Sequence, residues 1–202
     1  MTASPEYASR AEAAAAVRAG LGYLATLDPT QLPAGEQAEL LKLLEQAHAL
    51  ETAARTGVLG GFTTTQGYHH DGDHSPRTWL INHTGITKAA ATARTDWVKR
   101  ADAHPRVIAA LAARDLSESF GRKICDWTGH LPKDCQDSAD AILVAAARSG
   151  ATLQDLASLA AEIYARSRPP DPDGPDDGFA DRSVRLEMTF EGAGVLGCWA
   201  AI

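Results

Sequence analysis

The sequence predicts a mainly α-helical protein, a multi-helix bundle of stacked helical hairpins with a short C-terminal β-hairpin. Aromatic residues make up only 6% of the chain, and alanine and leucine supply much of the apolar content, which favours helices. Apolar side chains recur every three or four residues through most of the first 166 positions, whereas beyond residue 182 they alternate. We therefore expect a helical domain over residues 1–166, an acidic Pro/Asp linker over 167–182 and a β-hairpin over 183–202.

The composition is that of an ordinary globular protein. The 202 residues are enough for one core, and the chain contains no apolar run of the length, about eighteen residues, that spans a membrane. Charged residues interrupt the alanine-rich N-terminal segment, so it does not resemble a signal peptide. The three cysteines form no C-x-x-C pair, which argues against a disulfide framework and a zinc knuckle. We expect a reduced, cytoplasmic protein.

The first two helices are predicted over residues 8–27 and 35–55. Pro29 ends the first, and the glycines from Gly57 onward are expected to end the second. The second helix carries an apolar stripe of Leu40, Leu43, Leu44, Ala47 and Leu50. Such a stripe is more often core than partner surface, but this two-helix segment could also pair with a second copy, which leaves a homodimer open.

Residues 75–101 have the pattern of two helices joined by a short turn. Ser75 is suited to cap the first helix, and Pro76 fits its first position, where a missing N–H is no loss. Gly85 can adopt the left-handed conformation that ends this helix, and Thr87 is suited to cap the next one. DNA-binding proteins share this helix-turn-helix pattern with many purely structural helix pairs.

Further helices are predicted after Pro105, over residues 134–148 and from Thr152. The second helix of the helix-turn-helix unit is echoed thirty residues later, so that Trp127 corresponds to Trp97. Both indole rings are expected in the core. Three charged side chains of the echo are expected to face solvent: Glu118, Arg122 and Lys123.

The loop before Ser75 contains the densest group of potential metal ligands, namely His69, His70, Asp71, Asp73 and His74. Imidazole and carboxylate groups together could hold a divalent metal. Their spacing matches no metal-binding motif, however. We therefore expect a solvent-exposed loop and assign neither a metal ligand nor a cofactor.

The C-terminal segment changes character after residue 166. Residues 167–181 are rich in proline and aspartate, which is typical of a flexible linker or a surface strap. Val184, Leu186 and Met188 alternate with polar residues and predict a strand, and residues 191–194 predict the turn to a second strand. A lone two-stranded hairpin is marginal in water. We expect that it either docks on the helices or, as the favoured interpretation, begins a region that continues past residue 202.

Charge is distributed unevenly along the chain. Nine basic and four acidic residues lie between Arg77 and Lys123, a net charge of +5, whereas the whole chain carries −7 and the remainder therefore −12. A basic middle segment is expected of a nucleic-acid-binding protein, although solvated helix faces explain it equally well. The candidate DNA-binding residues are Arg77, Lys88, Thr92, Arg94, Thr95, Lys99, Arg100, Arg122 and Lys123.

Four motifs resemble those of a helical family of high-GC bacteria. They are W-L-x-x-x-T-G-I-T-x-x-x-A over residues 79–91, A-x-x-x-P-x-V-x-x-A-L-A-x-x-x-L-S over 101–117, D-P-D-G at 171–174, and the strand pair with its E-G-A-G turn. Over about residues 35–200 the chain thus resembles the domain of unknown function 222, also called the 13E12 repeat family.

The resemblance implies a context rather than an activity. Members of this family commonly carry the helical domain ahead of a C-terminal HNH endonuclease domain, and some occur in mobile or repeated genetic elements. The chain departs from the family pattern at Arg114-Asp115, where a glycine often precedes the second capping serine, and at Gly121, where alanine is usual.

No catalytic arrangement is visible in the sequence. An HNH nuclease needs a histidine general base and metal-holding histidine or asparagine on a hairpin and helix, but all seven histidines lie between His48 and His130. The P-loop, nucleophile-elbow and H-E-x-x-H motifs are absent, and Cys125 has no identified histidine partner. We expect no enzymatic activity from this chain.

The sequence favours a non-catalytic DNA-binding or targeting module of an HNH endonuclease-type protein. The alternative is a protein–protein interaction or oligomerisation scaffold built on the leucine stripe. A metal-dependent enzyme built on the histidine loop is the least supported hypothesis. Neither a cofactor nor a membrane partner is expected.

Overall fold

The structure, a computed structural model, describes residues 9–167, 183–188 and 194–199. It confirms that the protein is mainly α-helical. The helices of the described residues are α1 (Arg10–Thr26), α2 (Ala34–Thr64), α3 (Pro76–Thr84), α4 (Lys88–Ala103), α5 (Pro105–Ala113), α6 (Glu118–Thr128), α7 (Lys133–Arg148) and α8 (Leu153–Ser167). Short 3-10 turns lie at Pro29–Gln31 and Gly67–Asp71. None of the helices in this part of the chain is long and apolar enough to cross a membrane.

The core forms where α5, α6 and α7 pack against one another and α5 packs against α2. The helix α2 also contacts α3, α4 and α6, so it is the element on which most of the others assemble. The largest fully buried apolar side chains are Leu111, Ile124, Leu143, Leu156 and Val107. They come from α5, α6, α7 and α8, as the three- and four-residue periodicity predicts.

The predicted end of the second helix is wrong. The helix α2 continues through Gly57, Gly60 and Gly61 and ends only at Thr64. Each glycine costs about 1 kcal/mol relative to alanine in a helix interior. The C-terminal half of α2 nevertheless stays helical because Thr52, Thr56 and Leu59 are buried against the bundle, and a buried leucine contributes about 1.5–3 kcal/mol.

The assignment of the leucine stripe to the core is also wrong. Leu43, Leu44 and Leu50 are 50%, 40% and 39% exposed. The buried residues of α2 are instead Ala49, Thr52, Thr56 and Leu59. At about 100° per residue, this buried side lies roughly 170° around the helix axis from the stripe. The sequence pattern is misleading because the buried side of α2 consists of small and polar residues with Leu59 as its single leucine.

The helix α1 is a second departure from the expected core. It forms close to the predicted bounds, but no residue of α1 is buried, and Val17 and Tyr23 are 60% and 67% exposed. Its C-terminal end lies beside the start of α2, where Leu24 and Leu27 line a shallow groove with Leu40. The first buried residue among those described is Ala49.

The two tryptophans of the predicted repeat differ in burial. Trp97 is 4% exposed, as expected for a core residue, whereas Trp127 is only half-buried. Glu118, expected to face solvent, turns inward and accepts a hydrogen bond of 2.9 Å from Trp97 Nε1. This correction has a plain cause, because a buried indole N–H needs an acceptor.

The structure shows opposite situations at Arg114 and Gly121, the two positions where the chain differs from the family that it resembles. Arg114 ends α5 in the left-handed conformation with φ of 66°, a conformation that suits glycine. Gly121 is buried where α6 passes over α5. A Cβ atom there would lie 3.2 Å from Val107, 3.3 Å from Leu111 and 3.5 Å from Trp97. The chain therefore has an ordinary side chain where glycine fits better and a glycine where an added methyl group would be tight.

We predict that Arg114→Gly stabilises the protein by about 1 kcal/mol, because the left-handed conformation costs an ordinary residue about 1–2 kcal/mol. The melting temperature, followed by circular dichroism, should rise by about 2–4 °C. Ala113→Gly is the matched control: it introduces glycine one residue earlier, at a right-handed exposed position, and should lower the melting temperature. Equal effects of the two substitutions would contradict the prediction.

Beyond the helices, the strands Ser183–Met188 and Gly194–Trp199, which we call β1 and β2, pair antiparallel with Leu186 opposite Leu196. The linker is predicted over residues 167–182, but Ser167 still belongs to α8. Residues 168–182 and most of the predicted turn lie outside the described residues. The chain divides into two compact units, Met1–Ala160 and Ala161–Ile202, and the boundary between them falls within α8.

Candidate nucleic-acid interface

The helix-turn-helix unit has the caps that its sequence predicts. Ser75 Oγ accepts a hydrogen bond of 3.1 Å from the backbone N–H of Thr78 at the start of α3. Gly85, with φ of 68°, ends α3. Thr87 Oγ1 accepts a hydrogen bond of 3.2 Å from the N–H of Ala90 at the start of α4. Both helix starts and the turn are therefore fixed by local chemistry.

A small core lies beneath this unit. Leu59 of α2, Leu80 of α3 and Ala91 of α4 are buried together. Partly buried residues complete this cluster: Phe62, Trp79, Ile81, Ile86 and Val98. The end of α2 thus serves as the third helix that orients α3 and α4.

Four of the five potential ligands in the loop before α3 are exposed, as expected, but Asp73 is buried. Asp73 is 7% exposed and accepts hydrogen bonds of 2.8 Å from Asn82 Nδ2 and 3.0 Å from His83 Nε2. Asp71 accepts a bond of 2.6 Å from Trp79 Nε1. The expectation of an exposed loop is therefore wrong for Asp73, because its carboxylate holds the loop against α3.

The outer side of α4 presents a row of four polar residues. Lys88, Thr92, Thr95 and Lys99 are spaced four, three and four residues apart, so they lie within about 60° of arc around the helix axis. Lys88 and Lys99 are exposed, and the two threonines are half-exposed. We call these four residues the α4 row.

Arg77 extends the α4 row across to α3. With Thr95 and Lys99 it lines one shallow groove of about 310 Å³ between the two helices. Arg77 is exposed. Lys99 also lies 3.1 Å from Asp96, but both side chains are exposed to solvent, and such surface pairs are weak and exchange readily for other partners. The groove is the place where cations of both helices come together.

The structure does not bring the remaining candidate residues to this groove. Arg94 lies about 130° around α4 from the row, on the side near Arg55 of α2, whose pKa is lowered by burial and by Arg94. Arg100 pairs with Asp126 at 3.0 Å and lies 5.5 Å from the Trp97 ring centroid.

Two candidates lie on another helix. Arg122 pairs with Glu118 on α6. Burial raises the pKa of the Glu118 carboxyl, but hydrogen bonds from Arg122 and Trp97 outweigh it, so the pKa is lowered overall. Lys123 is exposed on the same helix. Arg122 is therefore paired with Glu118. Lys123 belongs to α6 and not to α4, so it is not a member of the α4 row.

Sequence reasoning missed Arg55 as a neighbour of Arg94. Arg55 forms an ion pair with Glu51 one turn earlier, and that i, i+4 spacing is visible in the sequence. Its approach to Arg94 depends on how α2 crosses α4, which no local pattern reveals.

A second polar cluster is sealed inside the bundle. Asp140 Oδ2 accepts a hydrogen bond of 2.9 Å from His104 Nδ1, and Asp140 Oδ1 accepts one of 2.6 Å from Thr128 Oγ1. All three residues are at most 3% exposed. The neighbouring Cys125 has its pKa raised to about 12, by burial first and by Asp140 second. These groups join three elements in the interior of the bundle.

Within residues 9–167, no group of three or more histidine, cysteine, aspartate or glutamate side chains is placed to hold a metal ion. Comparison of the chain with family models, with curated proteins and with solved structures finds no match. The geometry of the α4 row and its neighbours is therefore the basis for a functional proposal.

Proposed function

We propose that this protein is a non-catalytic DNA-binding or targeting module in which α4 enters the major groove. The observation that carries the proposal is the α4 row beside Arg77, displayed on a capped helix-turn-helix unit with its own core. The second helix of such a unit commonly lies in the major groove, with its N-terminal residues on base edges. Lys88 and Thr92 occupy that part of α4, and Arg77 and Lys99 are suited to contact phosphates.

The resemblance to the domain of unknown function 222 adds a context to this proposal. It would make an HNH nuclease the effector that the module delivers to DNA, and the cytoplasm the compartment in which it acts. The side chains of the α4 row discriminate weakly between bases. A threonine hydroxyl can bond to several base edges, and lysine only prefers guanine. We therefore expect binding that depends more on phosphates than on sequence.

The test is a fluorescence-anisotropy titration of the protein with a labelled duplex across a salt series. Binding should weaken with salt, the logarithm of affinity falling by about 0.9 per neutralised phosphate for each tenfold increase in salt. The double variant Lys88→Gln/Lys99→Gln should bind at least about tenfold more weakly and show a salt slope smaller by about 1.8.

The matched control is Lys133→Gln/Arg166→Gln, which removes the same charge from exposed positions on α7 and α8. It should bind DNA nearly as well as the unchanged protein. Equal losses in both double variants would show binding through net charge alone and would reject the α4 row. Absence of any affinity at low salt would reject DNA binding altogether.

A protein-interaction scaffold is the second candidate function. The specific observation in its favour is the exposed apolar surface of α2, where Leu43, Leu50 and Val58 are 50%, 39% and 75% exposed. Several exposed apolar residues on one side of a helix indicate an interaction site, whereas a single exposed leucine does not.

A further inference from the structure

The side of α2 that faces away from the core carries a regular apolar stripe. Its members are spaced alternately three and four residues apart, from Leu40 to Gly61: Leu40, Leu43, Ala47, Leu50, Ala54, Gly57 and Gly61. This is the spacing at which two helices pack along their length. Leu43 and Leu50 are strongly exposed, and Leu40 is half-covered by the end of α1. We call this set the outer stripe of α2.

No contact within the described residues explains why the outer stripe contains glycines. A Cβ atom added at Gly57 or Gly61 would meet nothing within 4 Å, and glycine is the weakest helix former after proline. By contrast, Gly60 faces Val98 of α4. Small residues at exposed stripe positions allow another helix to approach closely.

We infer that the outer stripe is the contact surface for α2 of a second copy, packed antiparallel about a two-fold axis between residues 48 and 49. In this register Leu43 lies opposite Ala54 of the second copy, and Leu40 lies opposite its Gly57. Ala47 lies opposite Leu50. Each leucine of one helix therefore meets a small residue of the other, as close packing requires. A parallel arrangement would place leucine against leucine and leave gaps at the glycines.

Charge also favours the antiparallel arrangement. The N-terminal half of α2 is acidic: Glu36, Glu39 and Glu45 outnumber Lys42, for a net charge of −2. The C-terminal half has balanced charges, because Arg55 pairs with Glu51. Antiparallel packing places the acidic half of each α2 beside the half with balanced charges in the second copy, whereas parallel packing places two acidic halves together.

The expected contact is small. Two helices touching over about 30 Å, each through a strip about 10 Å wide, cover on the order of 600 Å² of surface in total. That area lies below the roughly 1,000 Å² of a stable specific interface, so the contact is a weak one. The dimer is therefore expected to dissociate on dilution. The inference is independent of the proposed DNA binding, because it concerns α2 and the α4 row takes no part in it. The experiment below therefore contains no DNA.

The experiment is sedimentation velocity on the whole chain from about 1 to 500 µM, a range that brackets a micromolar dissociation constant. A monomer–dimer equilibrium is expected. Leu50→Glu should raise the dissociation constant at least about 100-fold, because it buries a charge in the contact. Leu41→Glu is the matched control: Leu41 is 65% exposed but lies about 150° from the stripe around α2, so the dimer should persist.

A size exchange tests the register itself. Ala54→Leu should weaken the dimer by overpacking and Leu43→Ala by leaving a gap, each about tenfold. The double variant should recover most of the association, because it merely exchanges the large and small members of one opposed pair. All these positions are exposed in the monomer, so circular dichroism should show unchanged helix content.

Three outcomes would overturn the inference. The first is a monomer at every concentration. The second is an assembly that Leu50→Glu leaves intact, which would place the contact elsewhere. The third is a dimer that both single size variants weaken but the double variant does not restore, which would reject the antiparallel register.

Discussion

Asp140→Ala is expected to lower the free energy of unfolding by about 2–5 kcal/mol, because it removes the shared acceptor of two buried hydrogen bonds, each of which costs about 1–3 kcal/mol when its acceptor is lost. Asp140 is fully buried and bonds to His104 and Thr128, which lie on different elements. Without the carboxylate, His104 Nδ1 keeps only a contact of 3.3 Å with Thr128 Oγ1, and Thr128 Oγ1 keeps the carbonyl oxygen of Ile124 as its acceptor. Since whole domains are stable by about 5–15 kcal/mol, the variant should be close to unfolding at 37 °C.

Urea denaturation followed by circular dichroism measures this effect as a shift of the midpoint at constant slope. Asp137→Ala is a matched control one turn away on α7. Asp137 forms an exposed pair of 2.7 Å with Arg106, which lowers the pKa of its carboxyl, so its loss should move the midpoint only slightly. If the two alanine variants had similar midpoints, the buried cluster would not be a main source of stability.

Trp97→Ala is expected to lower the free energy of unfolding by about 3–5 kcal/mol, the range for deleting a large buried aromatic side chain. Trp97 is 4% exposed and packs where Gly121 lets α6 approach. Trp97→Phe keeps one of the two fused rings and removes the N–H that bonds to Glu118, so we expect a loss of about 2 kcal/mol from the hydrogen bond and the small cavity together. The difference between the two variants in the same urea experiment measures the packing of the ring that phenylalanine retains.

A pH series supplies a second readout for the same residue. The pKa of Glu118 is lowered in the folded protein, so its stabilising contribution is present above the unfolded pKa of about 4.3. It is lost as the pH falls through the folded value. Trp97→Phe removes one hydrogen bond that lowers this pKa, so the variant should lose less stability than the unchanged protein as the pH falls. An identical loss in both proteins would mean that Trp97 does not influence Glu118.

Local chemistry made several elements predictable from the sequence. Ser75, Pro76, Gly85 and Thr87 each act within one turn of the chain, and all four have the predicted roles. The outer row of α4 follows from spacing alone, because the helix repeat fixes which residues share a side. Arg114 shows the limit of this approach. No residue near it in the sequence predicts its positive φ, and the only indication is that the family that the chain resembles often has a glycine there.

Whether an apolar stripe becomes core depends on the partners available, which a single helix does not encode. The leucines of α2 have the periodicity of a core stripe, yet Thr52 and Thr56 occupy the buried side and Leu43 and Leu50 stay exposed. Glycines normally end a helix, but at Gly57 and Gly61 packing of the opposite side outweighs their cost. In both cases long-range burial exceeds the local preference.

The sequence by itself determined the helical class of this protein, the bounds of most helices and the capped turn between α3 and α4, because hydrogen bonds within a few residues decide them. Only the tertiary structure decided that Glu118 faces Trp97, that Asp140 holds His104 and Thr128, and that Arg94 lies beside Arg55 rather than in the α4 row. These contacts join residues distant in the chain. Their formation depends on how helices cross, and the free energy of burying whole faces sets those crossings.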